Sequence, residues 1–113
     1  MTDMPMSLIV TIVRKGWGST VLDASVAAGS RGATVLFGRG AGVNEKERIF
    51  GMAIEPEKEI VLTVTRTEKV ERILAAITAA VDLDKPGNGI AFVMPVDKVV
   101  GIAHLLGQPP ASD

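Results

Sequence analysis

The sequence predicts an α+β domain, read in order as strand–helix–strand, loop, strand–helix–strand. Three observations predict it. Short runs rich in β-branched residues, such as "SLIVTIVR" (7–14) and "EIVLTVT" (59–65), alternate with segments of helical period. Each helical segment ends in a glycine-bearing turn that leads into the next run, "GSRGATVLFG" in one half and "PGNGIAFVMP" in the other. The chain has 113 residues, enough for one core and no more.

Residues 1–6 read as an N-terminal extension, 7–106 as the folded domain and 107–113 as a frayed tail. "SLIVTIVR" is almost continuously apolar, as in a strand buried on both faces. Gly16 and Gly18 interrupt it, and Ser19 or Thr20 is expected to cap a helix running to about Ala28. Trp17, Val21, Ala24 and Ala28 form that helix's stripe. Gly29 closes the helix and Gly32 opens the second strand, "ATVLFGRG". Three glycines at alternate positions follow, Gly38, Gly40 and Gly42, and "VNEKERIF" then reads as an exposed loop.

"FGMAIEPEKEIVLTVT" reads as extended, with Pro56 at an edge or irregularity and Ile60, Leu62 and Val64 on one face. Thr65 and Glu68 match a capping box ahead of the clearest helix, with Val70, Ile73, Leu74, Ile77 and Val81 on its apolar side. "LDKPGNG" is a turn and "IAFVMPV" the fourth strand. "DKVVGIAHLL" is compatible with a short helix or a last strand. Two such units give a ferredoxin-like βαββαβ fold, a four-stranded antiparallel sheet with both helices on one face. Two helices leave the other face open. With 47% hydrophobic residues and a mean hydropathy of +0.32, that face is expected to meet further copies of the chain.

Composition excludes several functions. Twelve Lys+Arg stand against 13 Asp+Glu, and no basic run exceeds Arg14-Lys15, so a nucleic-acid partner is not expected. There is no cysteine to serve as a nucleophile or zinc ligand. The N-terminus has its acid before and its bases after the apolar run, which is the wrong order for a secretory signal. That run is also short of the ~20 residues that span a bilayer, so a cytoplasmic protein is expected. His104 is the only histidine, and a metal site on it would need carboxylates from a neighbouring subunit. Asp82 and Asp84 read as turn formers, so no catalytic residue is assigned and no enzyme is expected.

The glycines fit neither familiar phosphate motif. A P-loop needs Lys followed by Ser or Thr after its second glycine, and "GRGAGVNE" has neither. A dinucleotide fingerprint needs a third glycine where Val43 stands. What remains is a strand end with one side free of Cβ atoms, open to close approach by a ligand. "KPGNG" offers a second set of amides that could cradle an anion.

"GSRGATVLFGRGAG", the loop after it, "EIVLTVTRTEKVERILAAI" and "GNGIAFVMPVDKVVGI" together resemble the PII signalling family, the nitrogen-regulatory proteins, over roughly 8–102. The resemblance implies a homotrimer that binds adenine nucleotide in clefts between subunits. It also implies docking on a target protein, a membrane transporter or an enzyme, through the T-loop, here Ala41 to Phe50. The family's adenine end falls on Gly32, Ala33 and Thr34 and on backbone near Leu62, Thr63 and Val64. The T-loop base falls on Gly38, Arg39 and Gly40, and the phosphate turn on Gly87, Asn88 and Gly89.

Departures shape the expected ligand. Ile90, Gly101 and Ala103 stand where the family carries a lysine and two arginines for phosphate, and Gly42 replaces the glutamine that helps hold magnesium and 2-oxoglutarate. ADP or AMP is therefore expected rather than ATP, with Arg39, Lys85 and Lys98 as candidate substitute charges. The chain has no tyrosine, and no Ser or Thr lies between Val35 and Leu62, so uridylylation on tyrosine and phosphorylation of a loop hydroxyl are chemically excluded. The alternative is a metal-handling or small catalytic trimer resembling the divalent-cation-tolerance proteins. A third possibility is an adaptor that has lost its ligand.

Overall fold

The computed structural model describes residues 4–42, 47–49, 52–54 and 56–101. In chain order the elements are β1 (Met6–Arg14), α1 (Gly18–Ala27), β2 (Thr34–Arg39), β3 (Glu47–Ile49) and β4 (Met52–Ile54), then β5 (Glu57–Arg66), a 3-10 turn (Thr67–Lys69), α2 (Val70–Val81) and β6 (Gly89–Val96). β1, β2, β5 and β6 form one sheet in the order β2-β5-β1-β6, with every neighbouring pair antiparallel. This is the ferredoxin-like arrangement. β3 and β4 pair as a separate two-stranded ribbon, Glu47 opposite Ile54 and Ile49 opposite Met52. Part of the segment read from sequence as an exposed loop is thus paired strand.

The core lies between the sheet and the helices. Ile9, Val13 and Val61 point from the strands toward Val21 of α1 and toward Val70, Ile73, Ile77 and Val81 of α2. The α2 residues are the stripe read from the sequence. α1 buries Val21 and Ser25, while Trp17 and Ala28 pack at the margin. Thr11, Thr63 and Thr65 share the helix-facing side of the sheet, fully buried, and their hydroxyls have no hydrogen-bond partner.

On the opposite side the register aligns Leu36 with Ile60, Val10 with Leu62 and Phe92, and Ile12 with Ile60 and Ile90. No helix among the described residues covers this side. Leu36, Phe92, Met94 and Ile90 are 41%, 41%, 48% and 55% exposed, so a large apolar area faces outward.

The helix ends differ from the sequence reading. Neither Ser19 nor Thr20 caps α1; the residue before it is Trp17, with no side-chain cap. Glu59 of β5 takes that role, accepting from Gly18 N–H at 2.7 Å and Gly16 N–H at 2.9 Å. A side chain at position 18 would collide with the Glu59 carboxylate, which explains the glycine there. The Thr65–Glu68 capping box does not form either. β5 continues through Thr65 to Arg66, and the 3-10 turn leads into α2 with no side-chain cap. Long-range packing of β5 overrides the local pattern here. β1 begins at Met6, inside the span read as an extension. Residues 97–101 are neither helix nor strand, and the boundary at 106–107 lies outside the described residues, as does His104.

Candidate functional site

A groove of about 780 Å3 opens on the uncovered side of the sheet, at the end where β1 stops and β5 starts. Its floor is Ile12, Ile60 and Ile90. One wall is the glycine-rich end of β2, Gly38 to Gly42, and the other is the turn before β6, with Pro86, Gly87 and Gly89. Arg14, Arg39 and Lys58 bring positive charge to it, and none of its described lining residues is acidic.

Each wall is fixed by bonds the chain makes elsewhere. Gly40 N–H donates to Pro56 O at 3.1 Å, the last rung before the chain leaves for the β3–β4 ribbon. Pro56 supplies only its carbonyl there, as befits a residue with no N–H at the head of a strand. Next to it, Glu57 Oε1 accepts from Lys15 Nζ at 2.9 Å. That hydrogen bond, with the ammonium's charge behind it, holds the Glu57 carboxyl below the ordinary carboxylate range and raises Lys15 above the ordinary lysine value.

The second wall is tied to α2. Val81 closes that helix, Asp82 follows with φ 52°, and Asn88 Nδ2 donates to Val81 O at 3.1 Å and Asp82 O at 3.0 Å. Asn88 N–H donates to Lys85 O at 3.2 Å. Gly89 has φ +141°, and a Cβ there would run into the Ile12 carbonyl oxygen, so β6 can join β1 only through glycine. Arg14 links this wall to the first turn: its Nε donates to Gly87 O at 3.2 Å and its guanidinium lies 5.3 Å from the Trp17 ring centroid.

Of the residues singled out from sequence, the groove gathers Gly38, Arg39, Gly40, Gly87 and Gly89. Both glycine turns therefore line one groove within a single chain. Gly32 lies before β2, and Thr34 is exposed at its start, opposite Leu62. Thr63 is buried beneath the helices, and Val64 lies on the uncovered side opposite Leu8. Asn88 is buried and turned inward as the cap of α2. The amides of Gly40 and Asn88, read as open to a ligand, are used in backbone bonds. Lys85 and Lys98 do not line the groove; Arg14 and Lys58 do, and the sequence reading did not single them out. Arg14 ends β1 and Lys58 is the second residue of β5, and only the antiparallel register brings them face to face. Among the described residues no cluster of His, Cys, Asp and Glu could hold a metal ion. No helix among them is long and apolar enough to cross a membrane.

The family model for nitrogen regulatory protein P-II matches residues 6–104. No curated protein matches the chain. Among solved structures, that of the B. subtilis GlnK–ATP complex superposes with a TM-score of 0.69 at 14% identity, covering 91% of this chain and 92% of that one. Arabidopsis thaliana PII bound to citrate gives 0.68 at 25% identity, with 91% and 88% covered. B. subtilis GlnK gives 0.62 at 15% identity, with 82% and 86% covered.

Proposed function

The chain belongs to the P-II family of nitrogen regulatory proteins, and from that premise we propose that it is a non-enzymatic trimer sensing a small anionic effector, an adenine nucleotide, in the groove between its glycine turns. One observation carries this reading: a single groove collects Gly38–Gly42, Gly87, Gly89 and three basic residues over an isoleucine floor. The likeness to GlnK solved with ATP and to a plant PII solved with citrate supports an anionic occupant. Gly32, Thr34 and Val64 lie outside the groove of their own chain, so in the trimer they complete the site from the neighbouring copy, while Thr63, fully buried under the helices, takes no part in it. The apolar side of the sheet is the surface through which copies meet.

ADP or AMP is the effector rather than ATP. Ile90 forms floor where the family has a phosphate-binding lysine, and Gly101 stands in place of an arginine. Each charged hydrogen bond is worth roughly 1.5–3 kcal/mol, so lost cations weigh most on the most highly charged ligand. Effector binding orders the segment Ala41 to Phe50, which docks on a membrane transporter or metabolic enzyme in the cytoplasm. The metal-handling alternative gains no support from the described residues. Calorimetry with ATP, ADP, AMP and citrate is the test. ADP and AMP are expected to bind more tightly than ATP, and absence of heat with every nucleotide at millimolar concentration would overturn the nucleotide reading.

A further inference from the structure

We propose that Arg14 is a positioning residue of this groove: by holding the Gly87 carbonyl it sets the Gly87 N–H as an amide that meets an acid group of the ligand. The proposal rests on the groove being the effector site and names what fixes its second wall. Gly87 lines the groove, and its φ of +86° lies in the region that favours glycine. The same freedom lets the peptides on either side of it turn over, so a bare glycine wall does not hold its amides in place by itself. Here the Gly87–Asn88 peptide is held at both ends. Asn88 N–H donates to Lys85 O at 3.2 Å, and Arg14 Nε–H donates to Gly87 O at 3.2 Å. Among the described residues the Gly87 N–H has no acceptor, which leaves it to a ligand.

The guanidinium is itself confined. It lies over the Trp17 ring, 5.3 Å from the centroid, and a Cβ built on Gly87 would come 3.4 Å from its Nη2. Trp17 N–H donates to Arg14 O at 3.1 Å and Trp17 packs against the core, so ring and guanidinium are carried by one short turn. A planar group already fixed against a ring loses little further freedom when it takes up a carbonyl. Arg14 thus ties the Gly87 wall to the β1–α1 turn, as Asn88 ties it to the end of α2. The two ties do different work. Asn88 caps a helix with its side chain, whereas Arg14 fixes the backbone of the residue that faces the groove. Bond and ring use the edge and face of the guanidinium, and both uses are independent of what the ligand's charge is.

Two variants separate this role from that of a charge touching the ligand. Arg14→Gln puts an amide N–H where the Arg14 Nε stands along the side chain and carries no charge. Arg14→Met has nearly the same length with neither donor nor charge. Calorimetry with ADP, AMP and citrate is run on the wild type and both variants at low and high salt, with hydrogen exchange on the ligand-free proteins. Arg14→Met is expected to weaken ADP and AMP by the same factor, roughly fivefold, the worth of one hydrogen bond. Its exchange is expected to quicken in 86–89 while the end of α2 keeps its protection. Arg14→Gln is expected to recover most of the affinity and the protection of the turn. A loss in Arg14→Gln as large as in Arg14→Met, greater for ADP than for AMP and shrinking with salt, would make Arg14 a charge on the ligand and overturn the positioning role. Unchanged affinity and exchange in Arg14→Met would overturn it as well, and either result leaves the nucleotide reading standing. Citrate binding that shows the Met loss and the Gln recovery, without any nucleotide binding, would support the positioning role and sink the nucleotide reading. No binding of any probe to the wild type would overturn both.

Discussion

Glu59 sits on the helix-facing side of β5, where an unpaired carboxylate would be strongly unfavourable. It is kept there by the Gly18 amide at the start of α1, at 2.7 Å, and by the Gly16 amide in the turn before it, at 2.9 Å, which also place its charge at the positive end of that helix. Two charge-assisted bonds in a buried setting mean that Glu59→Ala should destabilise the protein by about 3 kcal/mol, with Glu59→Gln costing about half as much because one acceptor oxygen remains. Urea denaturation at a fixed protein concentration checks this. A midpoint unchanged in Glu59→Ala would show that α1 starts without help. The sequence showed a glutamate in a strand and a helix start with Ser19 and Thr20 close by. It could not show that a residue 41 positions away would do the capping, because that depends on how β5 lies against the β1–α1 turn.

At the scale of elements, the turn before β6 depends on the end of α2. Asn88 supplies both hydrogens of its amide to the carbonyls of Val81 and Asp82, groups that a helix end otherwise leaves unsatisfied. Asn88→Ala should cost about 1–3 kcal/mol and loosen the turn, lowering effector affinity through misplaced Gly87 and Gly89 rather than through a lost ligand contact. Hydrogen exchange should then accelerate in 81–89 while α1 keeps its protection. An affinity loss with no change in exchange would place Asn88 on the ligand instead. The periodicity of Val70, Ile73, Ile77 and Val81 made α2 legible, since an amphipathic stripe reports the helix that buries it. The β3–β4 pairing was not legible, although Met52–Ile54 falls in the span read as extended. Its three-residue strands are too short for a period to register, and among the described residues they pair with each other alone.

For the whole molecule, the uncovered side of the sheet decides the assembly. Leu36, Phe92 and Ile90 are about half exposed on a largely apolar surface, and the proposed trimer would bury it. Light scattering on a sizing column should give three times the chain mass. Phe92→Glu should shift that species to monomer at micromolar concentration, since a charge unpaired in a buried seam costs several kcal/mol per site. A wild-type monomer would remove the neighbour that completes the groove, and with it the proposed adenine end.

Sequence alone determined the order of the main elements, the stripe of α2, the bare glycine backbone and the family, because each of these is written in local spacing. Tertiary structure decided which charges matter. Arg14, Lys58 and Glu59 look alike as strand-end charges, yet register puts the first two together in a groove and turns the third under a helix. Local composition carries a residue's type and its period. Which neighbours it meets across 40 residues or more of chain is fixed only when the strands pair.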